Sequence, residues 1–284
     1  MQTKILTKQD FLKELKTFFE KLPEKVLTND EWTMRGVIDI FKKIYPLPPD
    51  TKVVSKILEL HLFPYFLSFA DNINFNLELA EHQNWYPDLT FVSKENSKIK
   101  FAVDLKTTYR DERNPDFCNG FTLGSHGEYF TDRKSKKNVQ YPYGEYIAHF
   151  CIGIIYTRKA QINKNEIQSF SIEQLAKIPA VARDFIFFAE EKWKIAADNQ
   201  GSGNTANIGS IKCIGDIIAG KGVFSLAGEK IFDEYWVNFG KLTVPDKKGG
   251  YKKLSTLEEF LSFKGLPLNL SFPKRSKQRS GSNG

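Results

Sequence analysis

The sequence predicts an α/β fold, a mixed β-sheet flanked by helices. Three observations carry that expectation. Short runs that alternate apolar and polar residues, as half-buried strands do, are interleaved with longer runs of helical apolar period. Two of the alternating runs stand on either side of a polar turn and read as a hairpin. Apolar residues make up 41% of the 284, enough for a substantial core.

Taken in order, residues 8–22 predict an amphipathic helix, with Phe11, Leu12, Leu15, Phe18, Phe19 and Leu22 on one stripe. Thr7 is its N-cap, Asp10 follows three residues on, and Pro23 ends it. The stripe must be buried, either in the protein's own core or against a second copy. The period does not choose between them. Residues 50–70 predict a longer helix capped by Asp50, with Val53, Val54, Ile57, Leu58 and Leu60 on its apolar face. Pro64 is expected to kink or interrupt it. Residues 73–79 alternate as a strand, and a polar loop over residues 80–86 leads to the hairpin. Its strands are residues 88–92 and 99–106, with a turn at residues 94–98. Further strands are expected at residues 146–158 and 181–194, and helices at residues 171–178, 211–219 and 255–263. Ser255 and Glu258 are spaced as a capping box for the last of these. Residues 273–284 form a basic, Ser/Gly-rich tail that is expected to be disordered.

Charge and cysteine usage narrow the function classes. Net charge is +7, from 41 Lys and Arg against 34 Asp and Glu, which suits an anionic partner such as nucleic acid. Cys118, Cys151 and Cys213 are few and far apart, so neither a disulfide framework nor a zinc spacing appears. The N-terminus lacks the apolar core of a signal peptide, and residues 147–156 are too short an apolar run to span a bilayer. The expectation is a cytoplasmic protein without a membrane partner. His61, His82, His126 and His149 show no metal-ligand pattern, and no Ser-His-Asp or Cys-His set stands out.

The residues that carry chemistry lie on the hairpin. Tyr86-Pro87-Asp88 leads into its first strand, and Asp104-Leu105-Lys106 lies on its second. The turn brings the second strand back towards Asp88, and Asp104 and Lys106, two apart, share a sheet face. Two converging carboxylates suit Mg²⁺, a hard cation that takes oxygen ligands and keeps several waters. A cation so held polarises a phosphate and acidifies a bound water. A neighbouring ammonium orients that water and stabilises developing charge. The trio therefore fits metal-dependent hydrolysis of a phosphodiester. A hairpin of solvent-facing charges fits the same residues without chemistry. Glu59 interrupts the apolar run of the second helix, and pattern alone leaves it facing water.

Residues 201–207, Gly201-Ser202-Gly203-Asn204-Thr205-Ala206-Asn207, form a small polar loop. Glycines allow close backbone approach to a ligand. Asn reads adenine bidentately, and the methyls of Thr and Ala meet that of thymine. Composition alone also fits an ordinary surface turn. A phosphate-binding loop is disfavoured, because no Lys-Ser or Lys-Thr follows the glycines.

These blocks together resemble the EcoRV-type restriction endonucleases of the PD-(D/E)xK nuclease superfamily. The resemblance rests on Ile44-Tyr45-Pro46-Leu47, Asp50-Thr51-Lys52-Val53, Glu59-Leu60, Gln83-Asn84 and Tyr86-Pro87-Asp88. It continues through Asp104-Leu105-Lys106-Thr107-Thr108-Tyr109, Phe121-Thr122-Leu123-Gly124, Tyr146-Ile147-Ala148-His149, Tyr156-Thr157-Arg158 and residues 201–210. The blocks follow in order from about Tyr45 to about Phe224, with one extra residue near Ser125-His126-Gly127-Glu128. Beyond Leu226 the similarity fades, with Tyr235-Trp236 the one further candidate for a counterpart.

The resemblance implies a restriction-endonuclease-like sheet with a DNA-binding loop subdomain. One endonuclease domain would span residues 1–272: a dimerisation region at 1–45, a catalytic core at 46–195 and a DNA-recognition region at 196–272. Asp88 and Asp104 would ligate Mg²⁺, or Mn²⁺ in its place, with Glu59 as the third acidic position and Lys106 orienting the attacking water. Residues 201–207 would read the major groove, with Ala206 where the family has Thr, and Gln83 and Asn84 the minor groove. Thr51, Lys52, Thr107, Thr108 and Thr122 would donate to phosphates, with Asp50 beside them. The implied activity is double-strand cleavage by a homodimer at a six-base palindrome such as GATATC, cut bluntly at its centre. A cognate DNA methyltransferase would act in the same cell without forming a stable complex. Two other readings stay open. A PD-(D/E)xK repair or recombination nuclease would read DNA structure, so its cuts would not map to one short motif. A non-catalytic DNA-binding protein would gain nothing from carboxylates set beside phosphate.

Overall fold

The computed structural model describes residues 6–82, 84–158, 168–201, 206–246 and 249–272. The chain opens with α1 (Lys8–Lys21), capped by Thr7 and Asp10 in a reciprocal box. There follow α2 (Pro23–Val26), β1 (Leu27–Thr28), β2 (Glu31–Trp32), and the hairpin of β3 (Gly36–Ile38) and β4 (Ile44–Pro46). The long helix α3 (Thr51–Asn72) leads to β5 (Phe75–Leu79), β6 (Leu89–Ser93), β7 (Lys100–Arg110), β8 (Thr122–Ser125) and the short α4 (Glu128–Thr131). Then come β9 (Ala148–Arg158), β10 (Ala182–Glu191), α5 (Lys192–Ile195), β11 (Ala196–Gln200) and β12 (Asn207–Ser210). The chain closes with α6 (Ile214–Ile218), α7 (Glu229–Asn238), the hairpin of β13 (Thr243–Pro245) and β14 (Tyr251–Lys253), and α8 (Leu257–Phe263).

Seven strands form the main sheet, in the order β1-β2-β10-β9-β7-β6-β5. It is mixed, as expected: β7 and β9 run parallel and the other neighbours antiparallel. A smaller sheet, β11-β12-β8, carries the stem of the 201–207 loop. Strand alternation divides the core between the two faces of the main sheet. Phe101, Val103 and Leu105 of β7 pack with α1 and α3, whereas Ala102 packs with the smaller sheet and the C-terminal helices.

The apolar stripe of α1 is buried in the chain's own core. Phe11 and Leu15 are fully buried, and Phe11 stacks on Phe101 with ring centroids 4.2 Å apart. Lys8 bonds Glu191 and Glu229 at 2.9 Å each, and Lys16 bonds Glu190 at 2.7 Å, clamping α1 across β10. Phe11→Ala would leave a cavity ringed by Phe69, Phe75, Phe91, Phe101 and Phe150. It is expected to destabilise by about 3–5 kcal/mol, read as a lower denaturant midpoint.

Several expectations are corrected. Pro64 does not interrupt α3, which runs unbroken over 22 residues. Val54, Leu58, Leu62, Phe66 and Phe69 are buried along one side and hold both halves to the sheet. By length and composition α3 is also apolar enough to cross a membrane, but these contacts make it a core helix. The strand expected at residues 181–194 ends at Glu191, and α5 begins as Lys192 turns inward. Residues 171–178 form a 3₁₀ helix, Ile172–Lys177, and not an α-helix. The last capping box is made by Thr256 and Glu259 instead of Ser255 and Glu258. The tail at residues 273–284 lies outside the described residues.

Candidate active site

The hairpin forms as its sequence dictates. Ser93 Oγ accepts the N–H groups of Glu95 and Asn96, and Asn96 Oδ1 accepts that of Lys98 at 3.0 Å. These side chains close the turn between β6 and β7. Leu89 then faces Val103 and Thr90 faces Ala102, which sets Asp88, one residue before β6, beside Asp104. The Asp88 N–H reaches Asp104 Oδ1 at 3.4 Å. Asp88 Oδ2 accepts from the Leu105 N–H at 2.8 Å and from Lys106 Nζ at 3.1 Å. Lys106 Nζ also stands 3.1 Å from Asp104 Oδ2. One ammonium thus bridges two carboxylates.

The two acids differ in setting. The Asp104 side chain is 6% exposed and that of Asp88 38%, so Asp88 is the open side of the pair. Burial and the Asp104 charge push the Asp88 carboxyl above its ordinary range, against the pull of Lys106 and the Leu105 N–H. Burial works against the Lys106 ammonium, but Asp104 and Asp88 outweigh it and hold the proton more firmly than usual. The pair shares one positive centre at hydrogen-bonding distance, and all its donors are carboxylate oxygens. That donor set fits a hard divalent cation.

Glu59, on α3, bonds Lys56 at 2.6 Å, and its side chain is partly exposed. Among the described residues no three carboxylate, imidazole or thiol side chains converge.

The other positions are scattered over several elements. Asp50 caps α3 by accepting from the Lys52 and Val53 N–H groups, and Thr51 and Lys52 lie in its first turn. Thr107 and Thr108, adjacent on β7, face opposite sides of the sheet, and Thr108 is buried. Gly201, Ala206, Asn207 and Thr122 surround the stem of the 201–207 loop. The Gly201 N–H bonds the Asn207 carbonyl at 2.9 Å, and a Cβ on Gly201 would stand 3.2 Å from Thr122 Oγ1. Gly209 lets β11 and β12 close up there, since a Cβ would meet the Asn199 carbonyl at 2.7 Å. Asn84 is exposed in a turn ahead of Tyr86. Gln83, Ser202, Gly203, Asn204 and Thr205 lie outside the described residues.

Two features escaped the sequence reading. The stretch beyond Leu226 buttresses the loop stem: Tyr235 Oη donates to the Asp198 carbonyl at 2.6 Å, and Asp198 Oδ2 accepts the Leu257 N–H at 3.0 Å. Behind the carboxylates lies an aromatic layer of Tyr86, Tyr129, Tyr143 and His149. His149 is buried in this layer. Burial, Lys192 and Arg133 hold its imidazole neutral, and its Nδ1 is 2.9 Å from Tyr86 Oη.

A mixed sheet whose β6–β7 hairpin brings Pro87-Asp88 against Asp104-Leu105-Lys106 carries the PD-(D/E)xK signature, and similarity to known proteins makes the chain a PD-(D/E)xK-type nuclease that acts on DNA. The chain belongs to the family described as Restriction endonuclease EcoRV, whose profile matches residues 28–265, well past the last block recognised near Phe224. It is 39% identical over 212 residues to the type II restriction enzyme EcoRV of Escherichia coli, covering 74% of this chain and 84% of that one.

Proposed function

We propose that the protein is a homodimeric, Mg²⁺-dependent type II restriction endonuclease that cuts both strands of a short DNA palindrome. The observation that carries this reading is the pair of carboxylates bridged by Lys106 at 3.1 Å on each side. Asp88 and Asp104 would hold the cation, which when bound polarises the scissile phosphate and acidifies water. Asp104 is buried within the sheet, whereas Asp88 is the more exposed acid, on the side from which phosphate would approach. The Leu105 N–H fixes the Asp88 carboxylate. Lys106 supplies a permanent positive charge that orients the nucleophile and stabilises charge on phosphorus-bound oxygens. The products would be a 5′-phosphate and a 3′-hydroxyl. GATATC, with a blunt central cut, is the site the family membership favours, and a central TA step is cheap to kink.

Plasmid cleavage with and without Mg²⁺, with the ends sequenced, tests this reading. Ends at one palindrome that form only with Mg²⁺ support it. Cuts at branched or nicked structures without a shared sequence would point to a repair nuclease, and binding without cleavage would reject the catalytic assignment.

Specificity is assigned to residues 201–207, because carboxylates facing phosphate meet a group common to every base pair. Asn204→Ala is expected to lose roughly 1–3 kcal/mol of discrimination at one base pair, the scale of one bidentate contact. Cleavage rates on the preferred site and on its single-base variants read this directly. An unchanged profile would make the loop an ordinary turn.

A further inference from the structure

Lys192 is the first residue of α5, and only 2% of it is exposed. Its Nζ is buried and finds no hydrogen-bond acceptor among the described residues. It lies instead in an aromatic cage, 4.8 Å from the Tyr86 ring centroid, 5.5 Å from Tyr143 and 5.7 Å from Phe130. Gly124 closes the cage. Its φ is +87°, and a Cβ there would stand 3.3 Å from both Lys192 Nζ and Tyr129 Oη. Tyr86, the wall nearest the ammonium, is two residues from Asp88. A buried ammonium without an acceptor is costly, so its position calls for a reason.

The charges around it supply one. Burial holds the ammonium proton loosely, at a pKa of about 8, and Asp104 is the charge that most favours keeping it. Lys106 and Arg133 oppose it and Asp233 supports it. Asp88 and Asp104 against Lys106 leave one net negative charge, and Lys192 cancels it. A neutral site attracts a divalent cation poorly until a phosphate restores the negative charge.

We propose that Lys192 is a positioning residue that balances the charge of the Asp88–Asp104 pair, so that a divalent cation is held firmly only once a DNA phosphate has joined it. This rests on the reading of Asp88 and Asp104 as the metal pair. A cation-free role for packing alone would give no electrostatic signature.

The test measures Mn²⁺ binding to the DNA-free protein by electron paramagnetic resonance. Wild type, Lys192→Met, Lys192→Gln, Lys192→Arg and Asp104→Asn are compared, each with its melting temperature. Lys192→Met is expected to bind Mn²⁺ about tenfold more tightly, the scale of one full pKa unit of charge interaction, with Lys192→Arg like wild type. In metal-free buffer the same neutral variant should bind duplex DNA more weakly, because less positive charge offsets the carboxylates facing phosphate. Damaged packing would instead weaken both. If Lys192→Met does not fold, Lys192→Gln gives the same comparison. Mn²⁺ binding that is unchanged or weaker in a folded neutral variant, while Asp104→Asn loses it, overturns this proposal alone. Mn²⁺ binding that survives in Asp104→Asn overturns the metal pair, and this proposal with it.

Discussion

Asp104→Asn is expected to abolish cleavage while the protein stays folded and continues to bind DNA. The substitution keeps the shape of the side chain but removes the charge nearest the sheet, where Asp104 Oδ2 meets Lys106 Nζ at 3.1 Å. Two effects then add. The site loses one of its two anionic ligands for a cation, and Lys106 is left to Asp88 alone, which neutralises the remaining carboxylate. A bound cation supplies several kcal/mol of transition-state stabilisation. At about 1.4 kcal/mol per factor of ten, the loss is about a thousandfold or more in rate. Asp88→Asn should behave alike, with one difference. Asp88 is the more exposed acid, so neutralising it removes more repulsion from an approaching phosphate, and metal-free DNA binding should tighten. Lys106→Ala should also lose most activity, whereas Lys98→Ala, in the exposed turn of the same hairpin, should cut at the wild-type rate. Single-turnover cleavage in Mg²⁺ and a gel-shift titration in chelator read these outcomes. Near wild-type cleavage by either carboxamide variant would remove the assigned site.

The hairpin was legible because its information is local. Alternation fixed the face of Asp104 and Lys106, and the Ser93 and Asn96 side chains that close the turn belong to the turn itself. The fates of Pro64 and Glu59 were not local. Pro64 costs α3 one hydrogen bond, but the buried row from Val54 to Phe69 keeps the helix continuous through it. Glu59 lies on an apolar helix, and which side of that helix meets the hairpin depends on tertiary packing. Lys192 was the least legible. A single Lys at the end of an apolar run reads as the point where a strand meets water. The aromatic rings that enclose it come from Tyr86, Phe130 and Tyr143, distant in sequence. The partner of α1 was left open by its period and is settled by contact: its stripe faces Phe101 and Phe150 of the same chain.

On the homodimeric reading proposed above, Ile40→Asp is expected to split the dimer and, with it, abolish double-strand cleavage. The β3–β4 hairpin presents the apolar surface a second copy requires: Ile40 is 90% exposed and Phe41 77%, with Val37, Ile38 and Tyr45 beside them. Such a patch on a soluble protein marks an interaction surface. The hairpin is also held in shape. Asp39 accepts the N–H groups of Phe41 and Lys43 at 2.9 Å and the Tyr45 hydroxyl at 3.1 Å, so little ordering cost remains for association. Its base is anchored where Ile44 and Phe170 exchange backbone hydrogen bonds at 2.8 and 2.9 Å. There Ile44, Phe170 and Ile178 form a small core that the substitution leaves untouched. A two-fold interface uses the same patch on both subunits, so each substitution acts twice. Burying one Ile contributes about 1.5–3 kcal/mol, and an Asp in its place loses that and adds a desolvation cost. Two copies therefore raise the dissociation constant by about a hundredfold or more. In the proposed function each subunit would read one half of a palindrome, so a monomer would read only half and lack the second active site for the opposite strand. Sedimentation velocity should show a folded monomer at micromolar concentration, and plasmid assays should show little linear product. A variant that sediments and cuts like wild type would remove this hairpin from the dimer interface.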